Sequence, residues 1–254
     1  MTFDKILEDN RLWAVRYDGE DGNCFDLLFS RWYDMVWLRS FFQENLADLS
    51  SFFHITDVYE AIMETIDQAK RLECVMLDIT PDANLDILFR HLENSRFWEM
   101  TLGREKAYGD RGYRHQPWLR IYAIKIEPGI YLVTGGAIKL TAKMEERSHT
   151  LAELAKMERV RNYLLDNCVY DLDSFNEYID HEQGHGISGD TPVSNTFALA
   201  QRRTMAQRQR VLAQVFALYY NAGFTGYGDS IRHSSGIGQT HGLLSTICLQ
   251  LVER

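Results

Sequence analysis

The stretch WLRIYAIKIEPGIYLVTGGAIKLTAKM, residues 118–144, constrains the fold more than any other part of the chain. Two apolar arms flank Glu127-Pro128-Gly129. Proline presets φ at the first inner position of a type II turn, and glycine takes the positive φ that the next position requires. The spacing predicts an antiparallel hairpin with strands over 118–127 and 130–140. Beyond it, the sequence switches to spaced cations, Lys139, Lys143 and Arg147.

That basic strip contrasts with the rest of the protein. The 254 residues carry a net charge of -9, yet residues 100–165 hold 12 Lys and Arg against 7 Asp and Glu. Residues 1–99 hold 9 against 20, and residues 166–254 hold 6 against 9. A basic block inside an acidic chain points to a polyanionic partner, with RNA the expected one. Hydrophobic residues make up 45% of the chain and only four residues are proline, so a substantial core is available. Cys24, Cys74, Cys168 and Cys248 lie too far apart for a zinc ribbon or a dense disulfide framework. The start, MTFDKILEDN, lacks the features of a signal peptide, and no apolar run is long enough to cross a bilayer. These features lead us to expect a cytoplasmic protein with no membrane association.

Ahead of the hairpin, RLWAVRY (11–17) alternates as a strand does and stops at the turn cluster DGEDGN. Leu28, Trp32, Met35, Leu38 and Phe42 recur at helical spacing, predicting one helix from Phe25 to about Leu49. Thr56 or Asp57 caps a second helix, with Val58, Ile62, Ile66 and Ala69 on one face. ECVMLDI (73–79) is a β-prone run and LDILFRHLEN (85–94) fits either helix or strand. LGREKAYGDRGYRHQPW reads as a loop. Ser148 or Thr150 caps a helix to about Asp166, with Leu151, Leu154, Val160 and Leu164 inward. DLDSFNEYI is a short amphipathic piece, and a helix is expected over about 197–221. The fold class is therefore α+β: an N-terminal strand and two helices, a small antiparallel sheet with a basic hairpin, and a terminal helix. This domain spans 1–166, and 167–254 is a C-terminal extension of helix and loop.

Leu119-Arg120-Ile121-Tyr122, Tyr131-Leu132-Val133 and Ala137-Ile138-Lys139 with Lys143 follow one another in the order of an Arg-Ile strand start, an apolar partner strand and a lysine cluster. A Glu/Lys-rich helix comes next. This sequence resembles the RelE/ParE toxin superfamily, and within it the phage-derived, HigB-like branch. Leu140 stands where that branch often has a second lysine. The resemblance implies a translation inhibitor that cuts RNA without metal, either free or as ribosome-bound mRNA, and that a cognate antitoxin neutralises.

Metal-free RNA cleavage needs fixed cations beside the phosphate as negative charge gathers on it, and groups that move protons at the nucleophile and leaving oxygen. Arginine grips phosphate in a fork, and lysine serves either duty when neighbouring cations depress its pKa. Alternation on a strand puts Arg120, Tyr122 and Ile124 on one face and Ile121, Ala123 and Lys125 on the other. Arg120, Lys139, Lys143 and Arg147 are the expected catalytic group. Arg104, Lys106, Arg114 and Lys125 are expected to bind RNA, with Tyr122 stacking on a base.

A rival motif, His181-Glu182-Gln183-Gly184-His185, matches H-E-x-x-H. On a helix, His181 and His185 would share a face to bind zinc while Glu182 activates water, making a hydrolase. Gly184, Gly186 and Gly189 work against a helix there. A third reading is a non-catalytic protein of toxin-like fold that only binds a partner.

Overall fold

The computed structural model describes residues 1–79, 84–92, 102–109 and 115–184. It shows an α+β fold. Strands β1 (Thr2–Lys5) and β2 (Leu12–Arg16) form an antiparallel pair, with Phe3 opposite Val15. Four helices follow: α1 (Cys24–Tyr33), α2 (Met35–Glu44), α3 (Leu46–Phe53) and α4 (Val58–Leu77). A 3-10 turn (Leu85–Ile87) leads into β3 (Phe89–His91), β4 (Gly103–Ala107), β5 (Leu119–Glu127) and β6 (Ile130–Ile138). Helices α5 (Ser148–Asp166) and α6 (Leu172–Gly184) complete the described chain. The six strands make one mixed sheet in the order β1-β2-β6-β5-β4-β3. Only β2 and β6 run parallel; the other neighbours are antiparallel.

The hairpin β5–β6 lies at the centre of the sheet, and its turn has Gly129 at φ +79°. A bulge shifts the register so that Tyr122 faces Gly135 and Ala123 faces Val133, leaving Thr134 without an opposite number. The two glycines that follow carry the packing of both layers. A Cβ on Gly136 would lie 2.5 Å from Leu28 of α1, and one on Gly135 would lie 2.1 Å from Glu153 Oε2 of α5. Successive strand residues point to opposite faces. Helix α1 therefore covers one face of the sheet and α5 the other. Phe175 of α6 packs edge-on against Trp13 at 5.4 Å, on the α5 side, and Met1–Gly186 forms one compact unit. That unit includes α6, beyond the Asp166 boundary read from the sequence.

The single helix expected from Phe25 to Leu49 is three helices. Asp34 ends α1 in extended backbone, and its side chain caps α2 by accepting from the Val36 and Trp37 amides at 2.9 and 3.1 Å. The apolar spacing runs through the break because Leu28, Trp32, Leu38 and Phe42 all bury in the same core. Asp57 caps α4 by accepting from the Tyr59 amide at 2.8 Å. Residues 73–77, read as β-prone, are the last turns of α4.

Residues 103–107, expected as loop, form β4: its outward Arg104 and Lys106 alternate with buried Glu105 and Ala107, so the charge disguises the strand. Strand β1 was not anticipated. At the start of α5, Ser148 is already helical, and Thr150 Oγ1 donates back to the Arg147 carbonyl at 3.0 Å instead of accepting from an amide. Leu151, expected inward, is exposed, whereas Val160 and Leu164 are buried. The helix expected over 197–221 lies outside the described residues. No helix among the described residues is long and apolar enough to cross a membrane.

Candidate functional site

The start of β5 is fixed from α4. Gln68 Oε1 accepts from the Trp118 and Leu119 amides at 2.9 and 3.3 Å, and Trp118 Nε1 donates to Thr65 Oγ1 at 3.0 Å. Within β5, Arg120 faces Ala137, which alternates with the α1-facing Gly136, so Arg120 lies on the α5 side. Its Nη1 donates to the Pro117 and Leu119 carbonyls, each at 2.8 Å, and its guanidinium lies 4.7 Å from the centre of the Tyr108 ring. Tyr108 follows Ala107, which pairs with Ile121, so the register sets Tyr108 opposite Arg120.

Two neighbours extend the cluster across the sheet. Lys106 sits opposite Tyr122 on β5 and opposite Arg90 on β3, so all three share a face. The Arg90 guanidinium lies 5.4 Å from the same Tyr108 ring, and Lys106 Nζ donates to the Leu92 carbonyl at 3.1 Å. From the other side comes Lys139, just past β6. Its amide donates to the Trp118 carbonyl at 2.8 Å and its Nζ to the Ala142 carbonyl at 2.5 Å. Strands β3, β4 and β5 and the end of β6 thus bring Arg90, Lys106, Arg120 and Lys139 to one face, with Arg90 and Arg120 against the Tyr108 ring. Among the described residues none of the four forms an ion pair with a carboxylate; their partners are carbonyls and the ring.

The cations act on one another. Burial first, then the charge of Arg120, pulls Lys106 below the ordinary lysine range. Burial, then Arg120 and Lys106, does the same to Lys139, partly offset by Glu146 and Glu145. Burial also lowers Arg120, which nonetheless remains cationic because a guanidinium starts so high. The site therefore offers a fixed positive charge flanked by two lysines that give up a proton more readily than usual.

The other residues named from the sequence divide clearly. Arg147 is bound in a fork by Asp48 of α3, with Nε to Oδ2 at 2.6 Å. Arg104 shares the α5 face but pairs with Glu158 at 3.3 Å. Lys125 points to the opposite face and pairs with Asp86 at 3.0 Å. Lys143 is exposed between the sheet and α5. Tyr122 is wholly buried and cannot stack on a base, which corrects that expectation. Arg114 lies outside the described residues. His181 and Glu182 are exposed at the end of α6, so the helix does reach the H-E-x-x-H motif, but His185 lies outside the described residues. Among the described residues there is no group of three or more side chains placed to hold a metal.

Sequence reasoning missed Arg90 and Tyr108. Arg90 sits in a three-residue strand, too short for alternation to show, and Tyr108 belongs to the segment read as loop. The signal available was the strand β4 itself: once Arg104, Lys106 and Tyr108 are seen to share a face, the platform follows. No protein-family model matches the chain, and neither does any curated protein or solved structure. The chemistry must be read from the cluster alone. Unpaired guanidinium and ammonium groups converging on a half-buried surface suit a phosphate, which accepts charge-assisted bonds from several of them at once.

Proposed function

We propose that the protein binds the phosphodiester backbone of RNA at the Arg90–Lys106–Arg120–Lys139 cluster and cleaves it without metal, inhibiting translation in the cytoplasm. The observation that carries this reading is the convergence of four cations that no carboxylate among the described residues pairs with. Arg120, oriented by two carbonyls and a ring, is placed to stabilise charge on the phosphorane-like transition state. Lys106 and Lys139, with depressed pKa values, are suited to move protons at the attacking 2′-hydroxyl and the departing oxygen. Arg90 is exposed and extends the grip to a neighbouring phosphate. The element order after β1, namely strand β2, a helical layer, an antiparallel run of strands and a helix across the far face, supports the RelE/ParE-like reading. An antitoxin that silences the protein would cover the cluster with an acidic segment.

Inducible expression tests the reading. Wild type should arrest protein synthesis and growth, and the Arg120→Ala, Lys139→Ala double variant should not. Purified wild type should cut RNA in the presence of a metal chelator. A wild-type chain that leaves translation untouched overturns the proposal.

A further inference from the structure

Only two buried side-chain polar atoms among the described residues lack a hydrogen-bond partner: Tyr122 Oη and Glu153 Oε2. Native interiors leave few such groups, and each one calls for a physical role. Both lie on the α5 side of the sheet, the face that carries the cluster. Tyr122 is wholly buried and Glu153 is 7% exposed. Tyr122 faces Gly135 across the hairpin, and Glu153 Oε2 occupies the space where a Gly135 side chain would be. The carboxyl therefore sits on the cross-strand partner of the tyrosine. Tyr122 is in turn two residues along the same strand face from Arg120, and the two feel each other's charge.

The surroundings of Glu153 are mixed. Lys156, on its own helix, holds Oε1 at 2.7 Å, and the dipole of the Gly136 amide favours the charged carboxylate. Arg31 of α1 contributes a more distant positive charge. Tyr122 of β5, Tyr17 after β2 and Cys24 of α1 are neutral groups that feel its charge, and Arg159 acts on Tyr17. Burial outweighs the favourable partners and raises the carboxyl above its ordinary range. Burial likewise keeps the Tyr122 hydroxyl protonated, and so able to donate.

We propose that Tyr122 and Glu153 form one buried polar site beneath the cationic cluster, where the Tyr122 hydroxyl donates to Glu153 Oε2 across a single bridging water, and that the charge on Glu153 sets how strongly the cluster holds an anion. This rests on the anion-binding reading above. A water with a donor on one side and a carboxylate on the other satisfies both orphaned atoms. Glu153 is then a positioning residue: it touches no substrate but places a switchable negative charge under Arg120. Neutral Glu153 leaves the cluster at full strength, and ionised Glu153 weakens it. At an intermediate dielectric, that is roughly a three- to fivefold change in affinity.

Two measurements on the full chain test this. The first follows the Glu153 carboxyl carbon by NMR across pH. Tyr122→Phe, which keeps the ring, removes a donor to the charged form and should raise the midpoint by about half to one pH unit. An unmoved midpoint overturns the pairing. The second measures binding of a single-stranded oligoribonucleotide and of sulfate from pH 4.5 to 8, where both probes keep their charge. Wild-type affinity should fall about three- to fivefold more than that of Glu153→Gln. Parallel curves overturn the link to the cluster. A chain that takes sulfate with this pH dependence but ignores the oligoribonucleotide sinks the RNA reading alone.

Discussion

The two faces of the β3–β6 half of the sheet treat charge in opposite ways. On the α1–α4 side, Lys125 is paired with Asp86, and buried Glu105 is paired with His91 at 2.8 Å. Asp86 also accepts from the Tyr131 hydroxyl and from the Gly129 amide at 3.1 Å. On the α5 side, Arg104 is paired with Glu158, but among the described residues Arg90, Lys106, Arg120 and Lys139 are met by carbonyls and an aromatic ring and by no carboxylate. Carbonyls orient a cation without cancelling it. A charge used for structure is neutralised locally, whereas one kept for a ligand is aimed and left uncompensated.

The sharpest way to break that contrast is to remove the best-oriented cation. We expect Arg120→Ala to lower RNA cleavage by about 10²–10³-fold, measured as a single-turnover rate, with Arg120→Lys recovering only part because the fork is lost. Next in size is the packing beneath it. Gly135→Ala forces the Glu153 carboxyl to move, and urea unfolding should show a loss on the order of 2–3 kcal/mol that shrinks in a Glu153→Ala background. Arg90→Ala should weaken oligoribonucleotide binding roughly three- to tenfold and reduce its salt slope by about 0.7, as loss of one phosphate contact does for single strands. On the opposite face the effect should be one of stability alone. Burial would raise Asp86, but bonds from Tyr131, Lys125 and Gly129 prevail and hold it at about 2. The stability it contributes is present above the unfolded value of 3.8 and is lost as pH falls towards 2. Asp86→Asn should flatten acid unfolding over that window. The smallest effect is expected at the paired cations: Lys125→Ala and Arg147→Ala should leave RNA affinity within about twofold.

How much of this was legible depended on whether pattern and environment agreed. The hairpin was plain because Pro128-Gly129 fixes its turn and both its arms are apolar enough to be central strands. Helix α4 showed in its apolar face and its Asp57 cap. Arg120 and Lys139 could be placed on the right face by counting along strands. What escaped was decided by distant partners. Arg147 reads as a free cation until α3 brings Asp48 to it from 99 residues away. Tyr122 reads as exposed until α5 covers it. Strand β4 was hidden because Glu105, a residue that usually marks a surface, is buried against His91. Its loss from the reading took Tyr108 with it.

The parallel junction of β2 and β6 has a bearing on how the molecule is made. Leu12, Trp13 and Ala14 pair with a strand that begins only at Ile130, so the N-terminal ribbon has no further strand to pair with until most of this unit has left the ribosome. Contacts this far apart in sequence close slowly. Arg90, Lys106, Arg120 and Lys139 lie instead on β3 to β6, which pair antiparallel in chain order, so the cluster is complete only once β6 and Lys139 have been made. An unfinished or truncated chain therefore carries the acidic helices without the assembled cluster. If the cluster is harmful to its host, the nascent protein stays harmless until its last central strand is in place.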